Sequence, residues 1–264
     1  MNPTLKTAIK AARRGAAVIS RASLQIDALV VQTKAANDFV TEIDRAAEEA
    51  IVEVLRETYP EHGILAEESG QSGRAESEYQ WIIDPLDGTT NFIHGFPQYA
   101  VSIALTRNGA PEHAVVFDPT RNELFAASKG TGAYLNDRRI RVSRRTRLGE
   151  ALVGTGFPFR EFDKVERYLA TFRELTQKTA GLRRPGAAAL DLAYVACGRL
   201  DAFWESGLQP WDMAAGVLLI QEAGGLASDF AGETDYFTTG DIVAGTPKVF
   251  AQLLAVVQSH AHLV

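Results

Sequence analysis

The run Trp81-Ile-Ile-Asp-Pro-Leu-Asp-Gly-Thr-Thr-Asn-Phe92 constrains this chain more than any other segment. It begins as an apolar, strand-like stretch and ends in two aspartates three residues apart, split by a proline. Pro85 fixes its own φ and restricts its predecessor, which takes the chain out of regular structure and lets Asp84 and Asp87 face one space. Gly88 allows backbone to approach a ligand, and the amides of Thr89 and Thr90 can meet an anion. Asp-Gly by itself spells an ordinary hairpin turn. Carboxylates beside an anion-binding turn make chemical sense when a hard cation sits between them, and three further acidic motifs favour that reading.

Glu67-Glu68-Ser69-Gly70 follows the short apolar run Ile64-Leu-Ala66. Asp212, in Pro210-Trp211-Asp212, opens an apolar helix, and Asp44 falls in the first turn of a helix expected from Thr41 to Thr58. Thr41 and Asp44 have the spacing of a capping box, and either aspartate alone reads as a helix cap. Taken together, clustered carboxylates repel one another and any phosphate unless divalent cations neutralise them. All the donors are oxygens, with no His or Cys nearby, which selects Mg²⁺ or Mn²⁺ over Zn²⁺. The five histidines show no paired ligand spacing, and His260 and His262 are expected in solvent. A cation-held water ionises near neutral pH, and an adjacent carboxylate can take its proton. The chemistry implied is in-line hydrolysis of a phosphate ester. No Ser-His-Asp or Cys-His set offers a covalent nucleophile, and no Gly-x-x-x-x-Gly-Lys loop points to an NTP-driven kinase.

A chain of 264 residues, 46% hydrophobic, can bury the core of one large domain, 1–264, built from two intimate halves of about 1–147 and 148–264. A net charge of −6 gives no bulk reason to expect nucleic acid. Charge is uneven, however: Arg138, Arg139, Arg141, Arg144, Arg145 and Arg147 form a cluster, read as a solvated face or an anionic-partner patch. Cys197 is the only cysteine and sits in an apolar helical run, so it reads as a core residue in a reducing compartment. Lys6, Lys10, Arg13 and Arg14 interrupt the N-terminal segment, and no run approaches the ~20 apolar residues of a membrane span. The expected location is cytoplasmic. Helical spacing marks residues 4–24. An antiparallel meander follows over 101–106, 114–117, 123–127, 133–135 and 139–142, its last hairpin turning at Asn136-Asp137. The second half alternates strands near 151–155, 202–205, 226–229 and 242–244 with helices near 164–179, 187–198, 211–223 and 247–260. The fold class is therefore α/β (α+β).

Ala66-Glu-Glu-Ser69, Trp81 to Phe92, and Trp211-Asp-Met-Ala-Ala-Gly216 match in order and spacing the three signature regions of the inositol monophosphatase family, and Gly130 to Asn136 resembles its β-meander loop. The resemblance covers nearly the whole chain. It implies a layered α-β-α-β-α sandwich, commonly a homodimer, with two or three Mg²⁺ per site and sensitivity to Li⁺. It assigns Glu67, Asp84, Asp87, Asp212 and the carbonyl of Leu86 to metal, with Glu67 serving catalysis and Asp212 also touching substrate. It gives Asp44 and Thr89 the task of activating water, and Gly88 and Thr89 the phosphate. Gly186, Ala187, Ala188 and Glu205 would line the polyol pocket, and Lys34 matches a lysine on a loop near the metals. Pro185 and Ala187 stand where Thr or Ser is usual. The implied reaction is hydrolysis of myo-inositol 1-phosphate or similar monoesters. The alternatives are a nucleotide 3′-phosphatase or a fructose 1,6-bisphosphatase of the same superfamily, both of which need a second anion pocket to which Arg183, Arg184 and Lys34 would contribute. A third is a regulatory protein of the transcription antitermination machinery with vestigial or secondary phosphatase activity, with transcription-machinery or RNA contact through the arginine clusters.

Overall fold

The computed structural model describes residues 2–28, 31–35, 38–74, 77–158 and 162–263. The elements run α1 (Pro3–Ala22), β1 (Val31–Ala35), β2 (Asp38–Thr41), α2 (Glu42–Thr58), β3 (Gly63–Ala66), β4 (Gly70–Ser72), β5 (Tyr79–Asp87) and α3 (Thr89–Ile93). They continue with β6 (Ala100–Arg107), β7 (Ala110–Asp118), β8 (Glu123–Ser128), β9 (Gly132–Leu135), β10 (Arg138–Ile140), β11 (Leu152–Thr155) and α4 (Val165–Lys178). The last part holds β12 (Gly181–Arg183), α5 (Ala188–Ala196), β13 (Ala202–Glu205), α6 (Pro210–Glu222), β14 (Leu226–Ser228), α7 (Tyr236–Thr239), β15 (Ile242–Gly245) and α8 (Pro247–Ser259).

Side-chain alternation along the strands builds the layers. In the large sheet, ordered β10-β9-β8-β7-β6-β5-β3-β4, Trp81, Ile83, Val101, Ile103, Val115 and Phe117 point one way, onto the apolar faces of α1 and α2. Their neighbours Ile82, Ala104, Ala114 and Val116 point the other way, onto α5 and α6. The smaller sheet, ordered β12-β11-β13-β15-β14, sends Phe203, Ile242 and Ala244 to the same central helices. It sends Val153, Ala202, Trp204 and Val243 to the outer layer of α4 and α8. The result is the α-β-α-β-α sandwich. Residues Met213 to Ile220 of α6 are all buried, as a helix covered by sheets on both sides requires.

Several expectations shift in detail. Pro85 does not end the strand: β5 runs on to Asp87 through an irregularity in its pairing with β6. β10 stops at Ile140 rather than 142. The short elements β4, β12, α3 and α7 carry too few residues to show a periodicity in sequence. His260 is not free in solvent, because its Nε2 lies 2.7 Å from Glu174 Oε2. Cys197 caps the end of α5, half-buried, and burial pushes its thiol up. The six arginines between 138 and 147 are exposed. Arg145 pairs with Asp201 at 3.2 Å and Arg147 pairs with Glu150. No described helix is long and apolar enough to cross a membrane.

Candidate active site

The bulge in β5 builds the acidic corner. Asp84 pairs with Ser102 and Asp87 with Ala100, so three steps along β5 oppose two along β6. In a regular strand, residues three apart point to opposite faces; the extra residue brings Asp84 and Asp87 to the same side. The Asp84 carboxylate then accepts from the Leu86 amide at 2.9 Å, which fixes the turn. Asp212 arrives from the first turn of α6, where its Oδ2 caps the Gln209 amide at 2.7 Å. Ligating atoms of Asp84, Asp87 and Asp212 lie within 4.8 Å of one another, and all three side chains are buried.

This corner is electrostatically unfavourable without a cation. Burial pushes the Asp84 carboxyl well above its ordinary range, and Glu67, Asp87 and Asp212 push it further. Burial and then Asp212 do the same to Asp87, against the pull of the Ala189 and Ala188 amides. The Ala189 amide donates to Asp87 Oδ2 at 2.7 Å. An all-oxygen set of mutually repelling buried carboxylates is what a hard divalent cation fits.

Asp44 bridges the corner to α2. Its Oδ2 accepts from the Thr41 amide at 2.7 Å and the Thr41 hydroxyl at 2.6 Å, completing the capping box. Its Oδ1 accepts from Thr89 Oγ1 at 2.8 Å. Asp44 therefore caps α2 with one oxygen and meets Thr89 with the other. Thr89 Oγ1 also lies 3.0 Å from the Leu86 carbonyl. A hydroxyl has one proton, so it serves one of these acceptors at a time.

A cleft of about 370 Å³ opens over the corner. Glu67, Asp84, Leu86, Asp87, Gly88, Thr89, Gly186, Ala187, Ala188, Glu205 and Asp212 all line it. Gly88 has φ of 91°, and a Cβ there would stand 2.8 Å from the Gln98 carbonyl and 3.3 Å from the Ala187 Cβ. Only glycine can make this turn so close to the segment 186–188. Lys34 belongs to β1, but its side chain lies outside the described residues.

The cleft also takes residues that the sequence reading missed or placed differently. Gly156 packs beneath Glu205: a Cβ there would fall 1.9 Å from Glu205 Oε1. Arg184 stacks over the exposed ring of Phe157, 4.7 Å from its centroid, and both line the cleft. Arg183 does not accompany Arg184; it donates to its own neighbour Leu182 on the edge strand β12. Asn91 ties the turn after β5 to the far wall: its side-chain amide donates to the Pro185 and Gly186 carbonyls at 3.0 and 3.2 Å, and to the Gln98 carbonyl on its own side at 2.7 Å. Asp191, in the first turn of α5, is buried with Oδ1 unpartnered. Burial, then Glu205 and Asp87, pushes it well above the ordinary range. Asn91 lay inside the signature run. Gly156 and Phe157 follow a strand end with no motif of their own, and Asp191 is hidden in an alanine-rich helix.

A layered sandwich with an acidic cleft at its strand ends defines a class, and comparison with known proteins identifies it. The model of the inositol monophosphatase family matches residues 1–262. A Nus factor SuhB of Pseudomonas aeruginosa is 56% identical, over 98% of this chain and 97% of the relative. The solved extragenic suppressor protein suhB of Bartonella henselae superposes with a TM-score of 0.94 at 41% identity, over 97% and 99% of the two chains. An inositol monophosphatase from Anabaena superposes at 0.87 with 40% identity, over 97% and 95%. The chain belongs to the inositol monophosphatase family.

Proposed function

We propose that this protein is a Mg²⁺-dependent phosphomonoesterase whose leading substrate is myo-inositol 1-phosphate. The buried cluster of Asp84, Asp87 and Asp212, beside the Thr89 hydroxyl that donates to the Asp44 carboxylate, carries the reading. Glu67, Asp84, the Leu86 carbonyl, Asp87 and Asp212 would hold the cations. Bound there, Mg²⁺ would neutralise the cluster, polarise the phosphate and acidify a water. The protein's own groups do the rest. The amides of Gly88 and Thr89 hold phosphate oxygens. With the Leu86 carbonyl engaged, the Thr89 proton goes to Asp44 Oδ1, and a Thr89 lone pair is free to accept from the attacking water. A proton can then move from water to Thr89 Oγ1 as the Thr89 proton moves to Asp44. Glu205, on the opposite wall, accepts hydrogen bonds from ring hydroxyls, with Gly186, Ala187 and Ala188 shaping the space around them.

Phosphate release across inositol, glycerol, nucleotide and fructose phosphates, with and without Mg²⁺, tests the reading. Inositol 1-phosphate is expected to lead. Asp87→Asn, which keeps shape and removes charge, is expected to lose more than the roughly 100-fold that an outer partner of a metal site costs. Millimolar Li⁺ is expected to inhibit. Near wild-type hydrolysis by Asp87→Asn under chelation would overturn the metal assignment.

The naming of a 56% identical relative as a Nus factor favours a second role, contact with transcription machinery. The exposed Arg138, Arg139, Arg141 and Arg144 offer it a surface. Complementation of a growth defect by Asp87→Asn would separate that role from catalysis; failure to complement would tie the two together.

A further inference from the structure

Glu48 is a buried carboxylate, 4% exposed, with no part in the chemistry above. It lies one turn after Asp44 on α2, so the two side chains share a helix face. Its Oε2 accepts from the Glu68 amide at 2.8 Å and its Oε1 from the Ser69 amide at 2.9 Å. Those amides are the two that follow Glu67, in the turn leaving β3. The Glu67 amide itself donates to the Ile83 carbonyl of β5 at 3.1 Å. The Glu67 backbone is therefore held from both sides, by the strand that carries Asp84 and by a helix that carries Asp44. Hydrogen bonds to an ionised acceptor are about twice as strong as neutral ones, and a buried carboxylate depends on them.

We propose that Glu48 is a positioning residue for the metal site: it sets the placement of Glu67, and thereby cation affinity, without touching the cation. The proposal rests on Glu67 being a metal ligand. It also makes the first two turns of α2 a common template. Asp44 aligns the Thr89 hydroxyl from that helix and Glu48 aligns Glu67, so water activation and metal binding are referenced to the same rigid element.

Glu48→Gln in the full chain tests this. A glutamine can accept from one of the two amides, but its NH₂ faces the other donor. Mn²⁺ binding, counted by electron paramagnetic resonance of the free ion, is expected to weaken roughly 10–100-fold. The Mg²⁺ concentration for half-maximal phosphate release should rise by the same factor, with kcat at saturating Mg²⁺ close to wild type. An unchanged Mn²⁺ isotherm, with only the thermal midpoint lowered, would make Glu48 a structural residue and overturn the proposal. Should Glu48→Gln fail to fold, Glu48→Asp keeps both acceptors on a stem one methylene shorter; weakened Mn²⁺ binding supports the proposal and wild-type binding overturns it. A wild-type chain that binds no Mn²⁺ overturns the metal reading beneath it, a failure distinct from the others.

Discussion

The two walls of the cleft are built by different physics. On the wall formed by β5, α2 and α3, nearly every polar group has an assigned neighbour. Asp84 is turned by the Leu86 amide, Asp87 takes the Ala189 amide, and Asp44 takes Thr41 and Thr89. The facing wall, from Gly156, Phe157, Arg184, Gly186 to Ala188 and Glu205, is shaped more by clearance. A missing Cβ at 156 makes room for Glu205, an arginine rests on an exposed ring, and the carbonyls of Pro185 and Gly186 are gathered by Asn91. The first wall must hold charges within a few ångströms of one another against their repulsion, so it is over-determined. The second must fit a ligand, so it tolerates exposure. Chemistry is expected to reside in the first wall and selectivity in the second.

Thr89→Ala gives the sharpest break. It removes the hydroxyl that joins Asp44 to the acidic corner and leaves the carboxylates in place. Loss of such a partner should lower kcat on the order of 10–100-fold or more with little change in KM. A large rise in KM with kcat intact would move Thr89 to the recognition side and blur the division between the walls.

A substrate-dependent effect is expected from Glu205→Gln. Removing a charged acceptor costs about 1.5–3 kcal/mol, roughly ten- to a hundredfold in kcat/KM. That loss should appear with inositol 1-phosphate and be absent with p-nitrophenyl phosphate, which has no ring hydroxyls to recognise. Gly156→Ala, by displacing the Glu205 carboxylate from beneath, should reproduce the same selectivity pattern. Equal losses on both substrates would place Glu205 in support of the acidic corner.

The difference between the walls also explains what was legible in the sequence. Asp84, Asp87, Thr89 and Asp44 sit in dense local motifs, because a turn, a bulge and a cap each demand particular residues at fixed offsets. The individual strands and helices followed from alternation and amphipathic spacing long enough to show a period, whereas their stacking into five layers was implied by the family resemblance. The second wall is assembled from residues far apart in sequence. Gly156 and Asp191 matter only because β11 and α5 come to lie beside β13, and a lone glycine or a helical aspartate carries no signal of such an encounter. Arg183 and Arg184 look alike in sequence, yet extended backbone sends successive side chains to opposite faces. Glu48 reads as one more charge on an amphipathic helix until the fold brings the turn after β3 against it.

The smallest expected effect isolates the charge problem of the first wall. Asp84 and Asp87 have folded-state pKa values raised by burial and by their acidic neighbours. A carboxyl whose pKa is higher folded than unfolded adds stability below its unfolded value, and that stability is lost as pH rises through the folded value. The chelated protein should therefore lose stability from the ordinary carboxylate range upward, as both aspartates are forced to ionise against each other. Mg²⁺ would bind the ionised form, so its stabilisation should grow across the same window. Occupancy at 100 times Kd is worth about 2.7 kcal/mol, a shift of several degrees in thermal midpoint for a chain of this size. Midpoints measured in Mg²⁺ and in chelator should diverge as pH increases. The divergence should shrink in Asp87→Asn, which removes one charge from the cluster, and persist in Glu205→Gln, which leaves the cluster whole. A Mg²⁺-dependent gain independent of pH in the wild-type chain, or one abolished by Glu205→Gln, would mean that the two walls do not divide charge from recognition.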